Sequence, residues 1–427
     1  MKVVGVIAEY NPFHNGHRYQ LEQLKKETGA DYVIIAMSGN FLQRGVPALC
    51  DKYARAKMAL SCGADLVLEI PALWATASAE YFAKGGVSVL KNTGVLTHLG
   101  FGAETNDLEG LKELASILKN EPQYYKDELA DALREGMSFP AARKKALKAM
   151  LYVTGSEMSE ERVNALLDSP NNILAIEYLK TLPDYITPVL IPRKGAGYHD
   201  TDIDTPFPSA SAIRSVLFRK DTLSEGVNFT DTIDIEQLLS ESMPEESFQI
   251  LKDRITEGAL LDTEDISEIL GYRLLASAKY GFADYGDCTT DFSNKILNHL
   301  KDYTCFDAFC QSLKSKDLTY TRICRNLLHI LLDIRNEDYD NGAACGYAPY
   351  LRMLGFKKDS SELLSEIKEK AHVPLISKVA DADSLLTPEC YDVFEKDLTV
   401  SAIYHQLLTT RKGQPAKNDF TNQIIIL

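Results

Sequence analysis

The first hundred residues alternate short apolar runs with amphipathic ones, and that alternation limits the fold more than any other feature of the chain. "VVGVIAEY", "DYVIIAMSG", "ADLVLEIP" and "THLGFGAE" read as strands. Between them, "NGHRYQLEQLKKETG", "DKYARAKMALSCG" and "AEYFAKGGVSVLKNTG" read as helices. Strands that are apolar throughout have no face to give to water, so they belong to a parallel sheet covered by helices on both sides. The predicted class is α/β, with a doubly wound, Rossmann-like parallel sheet. Such sheets bind ligands beyond the carboxyl ends of their strands.

Residues from about 106 to 168 read as helices, in "DLEGLKELASILKN", "YYKDELADALREG" and "FPAARKKALKAML". The α/β pattern returns with "SPNNILAIEYLKTL" and "YITPVLIPRKGAGYHD", and "PFPSASAIRSVLFRK" reads as a loop entering a helix. We therefore expect a catalytic domain over 1–220, with a helical insertion at about 106–168, and a mainly α-helical C-terminal domain over 221–427. Within the latter, "VPLISKV" and "NQIIIL" are candidate strands.

Composition excludes some functions. The net charge of -15 argues against a protein held to nucleic acid by overall charge, while leaving local basic patches open. The eight cysteines form no CxxC pair and no Cys/His cluster, so we expect reduced thiols, no zinc and a cytoplasmic location. We expect no membrane partner either, since no apolar run approaches the roughly 20 residues of a span.

Chemistry concentrates where the first strand gives way to a helix. In "FHNGH", His14 and His17 flank Asn15 and Gly16. A helix N-terminus offers unpaired N–H groups and a positive dipole end, both attractive to phosphate. Imidazoles there donate hydrogen bonds to phosphate oxygens, and Gly16 removes bulk. Far down the chain, "PSASAIRS" sets Ser209, Ser211 and Arg214 at another helix start, where a guanidinium suits a leaving pyrophosphate. Taken singly, these patterns also suit two surface histidines and ordinary serine caps. Neither a GxxxxGK[ST] loop nor a GxGxxG turn is present.

The pairing of HxGH with S-x-S-x-x-R resembles the HIGH-motif nucleotidyltransferase superfamily. The ordered set "AEYNPFHNGH", "MSGNFLQRG", "DKYARAKMALSCGADLVLEIP", "FGAE", "SPNNILAIEYLK", "RKGAGYHD", "PSASAIR", "LTYTRICRNLLHILL" and "YLRMLGF" resembles the bacterial tRNA(Met) cytidine acetate ligase family over nearly the whole chain. That resemblance implies an enzyme that forms acetyl-adenylate from ATP and acetate. The acetyl group then passes to N4 of the wobble cytidine of elongator tRNA(Met).

It also implies roles for residues. His14, His17, Ser211 and Arg214 would be catalytic. The ATP site would run through Ile7, Ala8, Glu9, Tyr10, Asn11, Pro12, Phe13, His14, Asn15, Gly16, His17, Arg18, Tyr19 and Gln20, with Gly102, Asn171 and Arg193. His199 and Asp200 would be supporting or substrate groups. Gly39, Asn40, Gln43 and Arg44 would receive acetate or the cytosine ring, unless they are only a surface loop. Asp51, Lys52 and Arg55 read as a helix-start ion pair. Lys314, Lys316, Arg322 and Arg325 form a candidate RNA-binding patch, with Tyr320 for stacking and Arg352, Lys357 and Lys358 nearby. No carboxylate cage for a metal is visible, so Mg2+ would arrive with ATP. Two other readings stay open. One is a cofactor-biosynthetic adenylyltransferase acting on a small phosphate-bearing substrate; the other is a non-catalytic RNA-binding protein with a degenerate nucleotide site.

Overall fold

The computed structural model describes residues 1–193, 209–218, 231–315 and 318–427, without the side chains of 231–234. His199, Asp200, Lys316 and the expected boundary near Lys220 lie outside the described residues.

The apolar runs form one sheet. Its strands are β1 (Val3–Ala8), β2 (Tyr32–Ser38), β3 (Leu66–Ile70), β4 (His98–Ala103), β5 (Thr187–Pro192), β6 (Leu351–Phe356), β7 (Leu375–Ile376) and β8 (Ile425–Ile426). The order is β5-β4-β1-β2-β3-β6-β7, with β8 also on β6. The first five strands are parallel, β6 runs antiparallel to β3, and β7 and β8 are parallel to β6. Chain order reverses at β1, which has β4 on one side and β2 on the other. Such a switch point opens a crevice beyond the strand ends.

The central strands are buried on both faces, as their composition requires: Val4, Val6, Val33, Ile34, Ile35 and Leu68 are almost wholly excluded from water. Helix α1 (Asn15–Thr28) lays Leu21 and Leu24 on the sheet and stops at Gly29, whose φ of 62° suits the left-handed end of a helix. The stretch read as helical folds into four helices, Leu108–Asn120, Gln123–Arg134, Phe139–Val153 and Glu160–Leu167.

The C-terminal half is mainly helical, yet it supplies β6, β7 and β8 to the same sheet. "VPLISKV" and "NQIIIL" each contribute a two-residue strand, while "YLRMLGF" supplies β6, which the sequence did not announce. A buried charge cluster fastens this half to the first. In helix α2 (Lys52–Ser61), the Lys52 ammonium bonds Glu69 on β3 at 2.8 Å and Asp419 near the C-terminus at 2.7 Å. The expected helix-start ion pair is thus corrected. Asp51 caps α2 by accepting from Tyr53 and Ala54 N–H, and Lys52 pairs with remote carboxylates. Arg55 donates to backbone carbonyls of Glu9, Ser38, Gly39 and Cys50.

Candidate active site

A cleft opens at the switch point, beyond the carboxyl ends of β1, β4 and β5. Its walls combine Ile7 and Ala8 at the end of β1, Glu9 to Asn11 after it, Gly102 from β4, Arg193 after β5 and the start of α1. The loop after β2 adds Gln43 and Arg44, and helix Ala210–Leu217 adds Ser211 and Arg214. The two segments paired by sequence spacing therefore face one another across one space.

The HxGH segment has a local explanation that its spacing did not reveal. His14 is the N-cap of α1, and its Nδ1 accepts from Gly16 N–H at 3.1 Å. His17, three residues on, returns the bond: its Nδ1 accepts from His14 N–H at 3.3 Å. This is a capping box built from imidazoles in place of hydroxyl and carboxylate. The rings stack with centroids 3.8 Å apart. With Nδ1 accepting on both, the neutral tautomer carries its proton on Nε2, and each ring becomes a donor. Burial, then the charges of Arg193 and Arg214, push His14 down to about 3. Burial, His14 and Arg193 hold His17 well below its ordinary value. Gly16 gives up its side chain chiefly to this ring, since a Cβ there would lie 2.9 Å from His14 Cε1.

Opposite, Ser211 Oγ accepts from Arg44 Nη1 at 3.2 Å and from Arg214 Nη2 at 3.1 Å. Arg214 Nη1 reaches back to the Asn11 carbonyl at 2.6 Å. Ser209 caps its helix by accepting from Ala212 N–H at 3.0 Å. Arg44, Arg193 and Arg214 face the cleft, while Glu9 is the only carboxylate among its described lining residues. An acidic chain thus carries a locally basic cleft, which suits a polyphosphate. Tyr10 holds φ at 49°, a left-handed conformation that is uncommon for so bulky a residue.

Not every expected site residue reaches the cleft. Within Ile7 to Gln20, the segment Pro12, Phe13, Asn15 and Arg18 lies outside the lining. Phe13 is buried in the core, Asn15 donates to the Glu241 carbonyl at 2.8 Å, and Arg18 pairs with Glu22 at 3.1 Å. Gln43 and Arg44 reach it, whereas Gly39 and Asn40 do not. Asn40 accepts from Lys52 N–H and donates to Ser401 Oγ, and a Cβ on Gly39 would run into the Glu69 carboxylate. Asn171 lines the cleft and donates to Glu104 Oε1 at 2.6 Å; Glu104 also accepts from Asn172 N–H at 3.1 Å, bracing the start of helix Pro170–Thr181. The apolar walls, Phe82, Phe101, Leu174 and Tyr178, were missed. Leu174 and Tyr178 follow Asn171 at the spacing of one helix face, the signal that could have found them. Phe82 and Phe101 look like any core residue.

The basic C-terminal residues lie close by. Gly45, next to Arg44, has φ at 79°, and a Cβ on it would collide with the backbone of Cys324 and Arg325. Helix Tyr320–Leu332 therefore packs directly on the cleft loop. Lys314 is exposed, Arg322 pairs with Asp287 at 3.1 Å, and Arg325 is mostly buried, 4.0 Å from the same carboxylate. Arg352 is buried within β6, donating to Tyr53 Oη at 3.3 Å, so it does not belong to an exposed patch.

Fold and cleft together define a nucleotidyltransferase of the HIGH type, and the family described as HIGH Nucleotidyl Transferase matches residues 1–419. The tRNA(Met) cytidine acetate ligase of Acetivibrio thermocellus is 36% identical over 431 residues, covering all of both chains. The enzyme of the same name from Clostridium perfringens is 38% identical over 387 residues, 90% of this chain and 91% of that one. Two Thermotoga maritima TmcAL crystal structures, each 32% identical, cover both chains completely. The one bound with alpha-thio ATP superposes at a TM-score of 0.89, and the apo form at 0.91. The chain belongs to the tRNA(Met) cytidine acetate ligase family.

Proposed function

We propose that this protein is an ATP-dependent ligase that joins acetate to N4 of the wobble cytidine of elongator tRNA(Met) through acetyl-adenylate. The observation that carries the reading is the cleft itself, where a histidine-capped helix start faces Ser211 between two guanidinium groups. The names of the relatives and the alpha-thio ATP of the Thermotoga maritima structure support the same reading.

In the first step, acetate attacks the α-phosphorus and pyrophosphate leaves. The Nε2–H groups of His14 and His17 donate to the oxygens on which charge develops, and their low basicity keeps them as neutral donors. Ser211 and Arg214 hold the departing pyrophosphate, with Mg2+ carried in on the nucleotide. Among the described residues, no three His, Cys, Asp or Glu side chains gather into a metal-binding group. Gly102, Asn171 and Arg193 border the nucleotide, and Gln43 and Arg44 receive acetate or the cytosine ring. In the second step, the cytosine amine attacks the acetyl carbonyl and AMP leaves. Positioning contributes much of the rate in both steps.

The RNA approaches over the start of helix Tyr320–Leu332, with Arg322 and Arg325 on that helix, and Lys314 and Lys316 before it in the chain, as the proposed phosphate contacts. The packing of that helix against the Gly45 turn, next to Arg44, supports that approach. A cytoplasmic location fits a protein that draws on ATP, acetate and tRNA, and no helix among the described residues is long and apolar enough to cross a membrane.

Acetate-dependent exchange of pyrophosphate into ATP, run with and without tRNA, tests the reading. Exchange that needs acetate but not tRNA is expected. Exchange that ignores acetate and needs a phosphate-bearing cosubstrate would point to the cofactor adenylyltransferase. No exchange under any condition would favour the non-catalytic RNA binder.

A further inference from the structure

We propose that Glu9 is the proton acceptor of the acetyl-transfer step, an inference that rests on the ligase reading above. The chemistry demands such a group. When the N4 lone pair forms the C–N bond to the acetyl carbon, the C–O bond to the adenylate phosphate breaks and AMP leaves with that electron pair. The attacking nitrogen then carries one proton too many for a neutral amide. Its lone pair is partly spread into the cytosine ring, which makes it a weak nucleophile. Removal of the proton as the bond forms is where a general base assists.

Few of the described groups lining the cleft are able to accept it. Guanidinium groups have no lone pair to offer, which sets aside Arg44, Arg193 and Arg214. The two imidazoles are already oriented as donors, because Gly16 N–H and His14 N–H occupy their Nδ1 atoms. Tyr10 is buried, and burial holds its phenol protonated far above the ordinary range. Among the described lining residues, that leaves one carboxylate, Glu9.

Glu9 is also placed for the task. It follows β1 directly, five residues before His14, so it lies between the histidine-capped helix and the loop of Gln43 and Arg44. Its Oε1 accepts from Gln43 N–H at 2.8 Å, which ties the carboxylate to that loop. Its carbonyl oxygen accepts from Arg55 Nη1 at 2.6 Å. Arg55 is fully buried and also grips the Ser38 and Cys50 carbonyls, at 3.1 and 3.0 Å. Backbone and side chain are thus both fixed. A carboxylate has about four lone-pair positions, and one N–H anchor leaves most of them for substrate. The proton taken from N4 passes from Glu9 to solvent, and the carboxylate is restored for the next turnover.

Glu9→Gln tests this, because its amide oxygen still accepts from Gln43 N–H while basicity is lost. Two rates are compared: acetate-dependent pyrophosphate exchange, and single-turnover transfer from preformed acetyl-adenylate to elongator tRNA(Met). Transfer should fall about 100-fold or more, the usual scale for a missing general base, and exchange should fall far less. Glu9→Asp keeps the base on a shorter stem and should transfer faster than the Gln variant. Thermal unfolding of both variants checks that the fold is retained. Transfer by Glu9→Gln at the wild-type rate overturns the inference. An equal fall in both steps also overturns it, because Glu9 would then serve the nucleotide. A wild-type protein that exchanges but never acetylates tRNA would instead sink the ligase reading.

Discussion

Arg214 donates to the carbonyl oxygen of Asn11 at 2.6 Å, across 203 residues of chain. One guanidinium thus joins the turn that leads into the histidine-capped helix to the serine-rich segment beyond β5. Its second nitrogen, on Ser211, keeps that hydroxyl beside Arg44. The cleft is assembled by tertiary structure, and its two motifs are held in register by a side chain that belongs to one of them.

Capping and catalysis are separable at His14. Asparagine is a strong N-cap, so His14→Asn should keep the α1 terminus intact, whereas alanine would cost roughly 0.5–2 kcal/mol of stability. Either change removes the Nε2–H donor and should slow adenylate formation by about 100-fold or more. The check pairs unfolding midpoints with exchange rates. A stable His14→Asn variant that forms adenylate at the wild-type rate would contradict the donor role.

Acid should weaken the ligand-free protein. His14 has a folded value pushed down to about 3, while the unfolded chain titrates near the ordinary value of roughly 6.5. As pH falls below that ordinary value, the unfolded state binds a proton that the folded state refuses. Stability is therefore lost on acidification, by about 1.4 kcal/mol per pH unit for this one residue. His17, His329 and His405, also lowered chiefly by burial, act in the same direction. Urea unfolding between pH 7 and pH 5 should show stability falling with pH, less steeply in His14→Asn. Equal slopes in the two proteins would count against a neutral, buried His14.

Two glycines at the cleft should respond in opposite ways to an added methyl group. At Gly102 a Cβ would meet Arg193 Cγ and Gln20 Nε2 at 3.6 Å, which are ordinary contacts. Gly102→Ala should fold normally and raise the KM for ATP, because the methyl group enters the nucleotide space. At Gly45 the methyl group would strike helix Tyr320–Leu332 at a positive φ. Gly45→Ala should lose roughly 1–3 kcal/mol from overpacking, with backbone strain in addition. Unfolding midpoints and ATP saturation curves for both variants decide the matter; a destabilised Gly102→Ala with unchanged KM would reverse the assignment.

How much of this was readable beforehand depended on where each residue finds its partner. β1 to β4 announced themselves because strands buried over most of their length are mostly apolar, and β5, at the sheet edge, by the return of the strand–helix alternation. β6 did not, since Arg352 sits within it and its guanidinium is accommodated by Tyr53 and the Phe394 ring, contacts remote in sequence. The charges of Asp51, Lys52 and Arg55 looked mutually paired because they are neighbours. Asp51 instead caps its own helix, while Lys52 finds Glu69 and Asp419, and Arg55 finds the Glu9, Ser38 and Gly39 carbonyls, through tertiary structure. At the cleft, His14, His17, Ser211 and Arg214 stood out by residue type and spacing. Asn40 shared the polar look of Gln43 and Arg44, but a peptide loop turns successive side chains to different sides, and spacing could not say which.

The RNA assignment separates the two half-reactions. Replacing Lys314 and Arg322 with Ala should reduce cytidine acetylation while acetyl-adenylate is still formed. The salt dependence of tRNA binding should flatten by roughly 0.7 per lost phosphate contact, the single-strand value. Arg325 is a poorer test, because its backbone supports the Gly45 turn. Loss of adenylate formation with unchanged tRNA affinity would remove these residues from the RNA surface.

The central claim is that one cleft makes acetyl-adenylate and delivers its acetyl group to a single nucleobase. The most direct measurement supplies radiolabelled acetate, ATP and two transcripts of elongator tRNA(Met), one unaltered and one with the wobble cytidine changed to uridine. Label is expected in the first transcript, recovered after digestion as N4-acetylcytidine, and none in the second. A protein with both His14 and His17 replaced by Ala should label neither. Label in the uridine transcript, or none in the unaltered one while acetyl-adenylate accumulates, would contradict the claim.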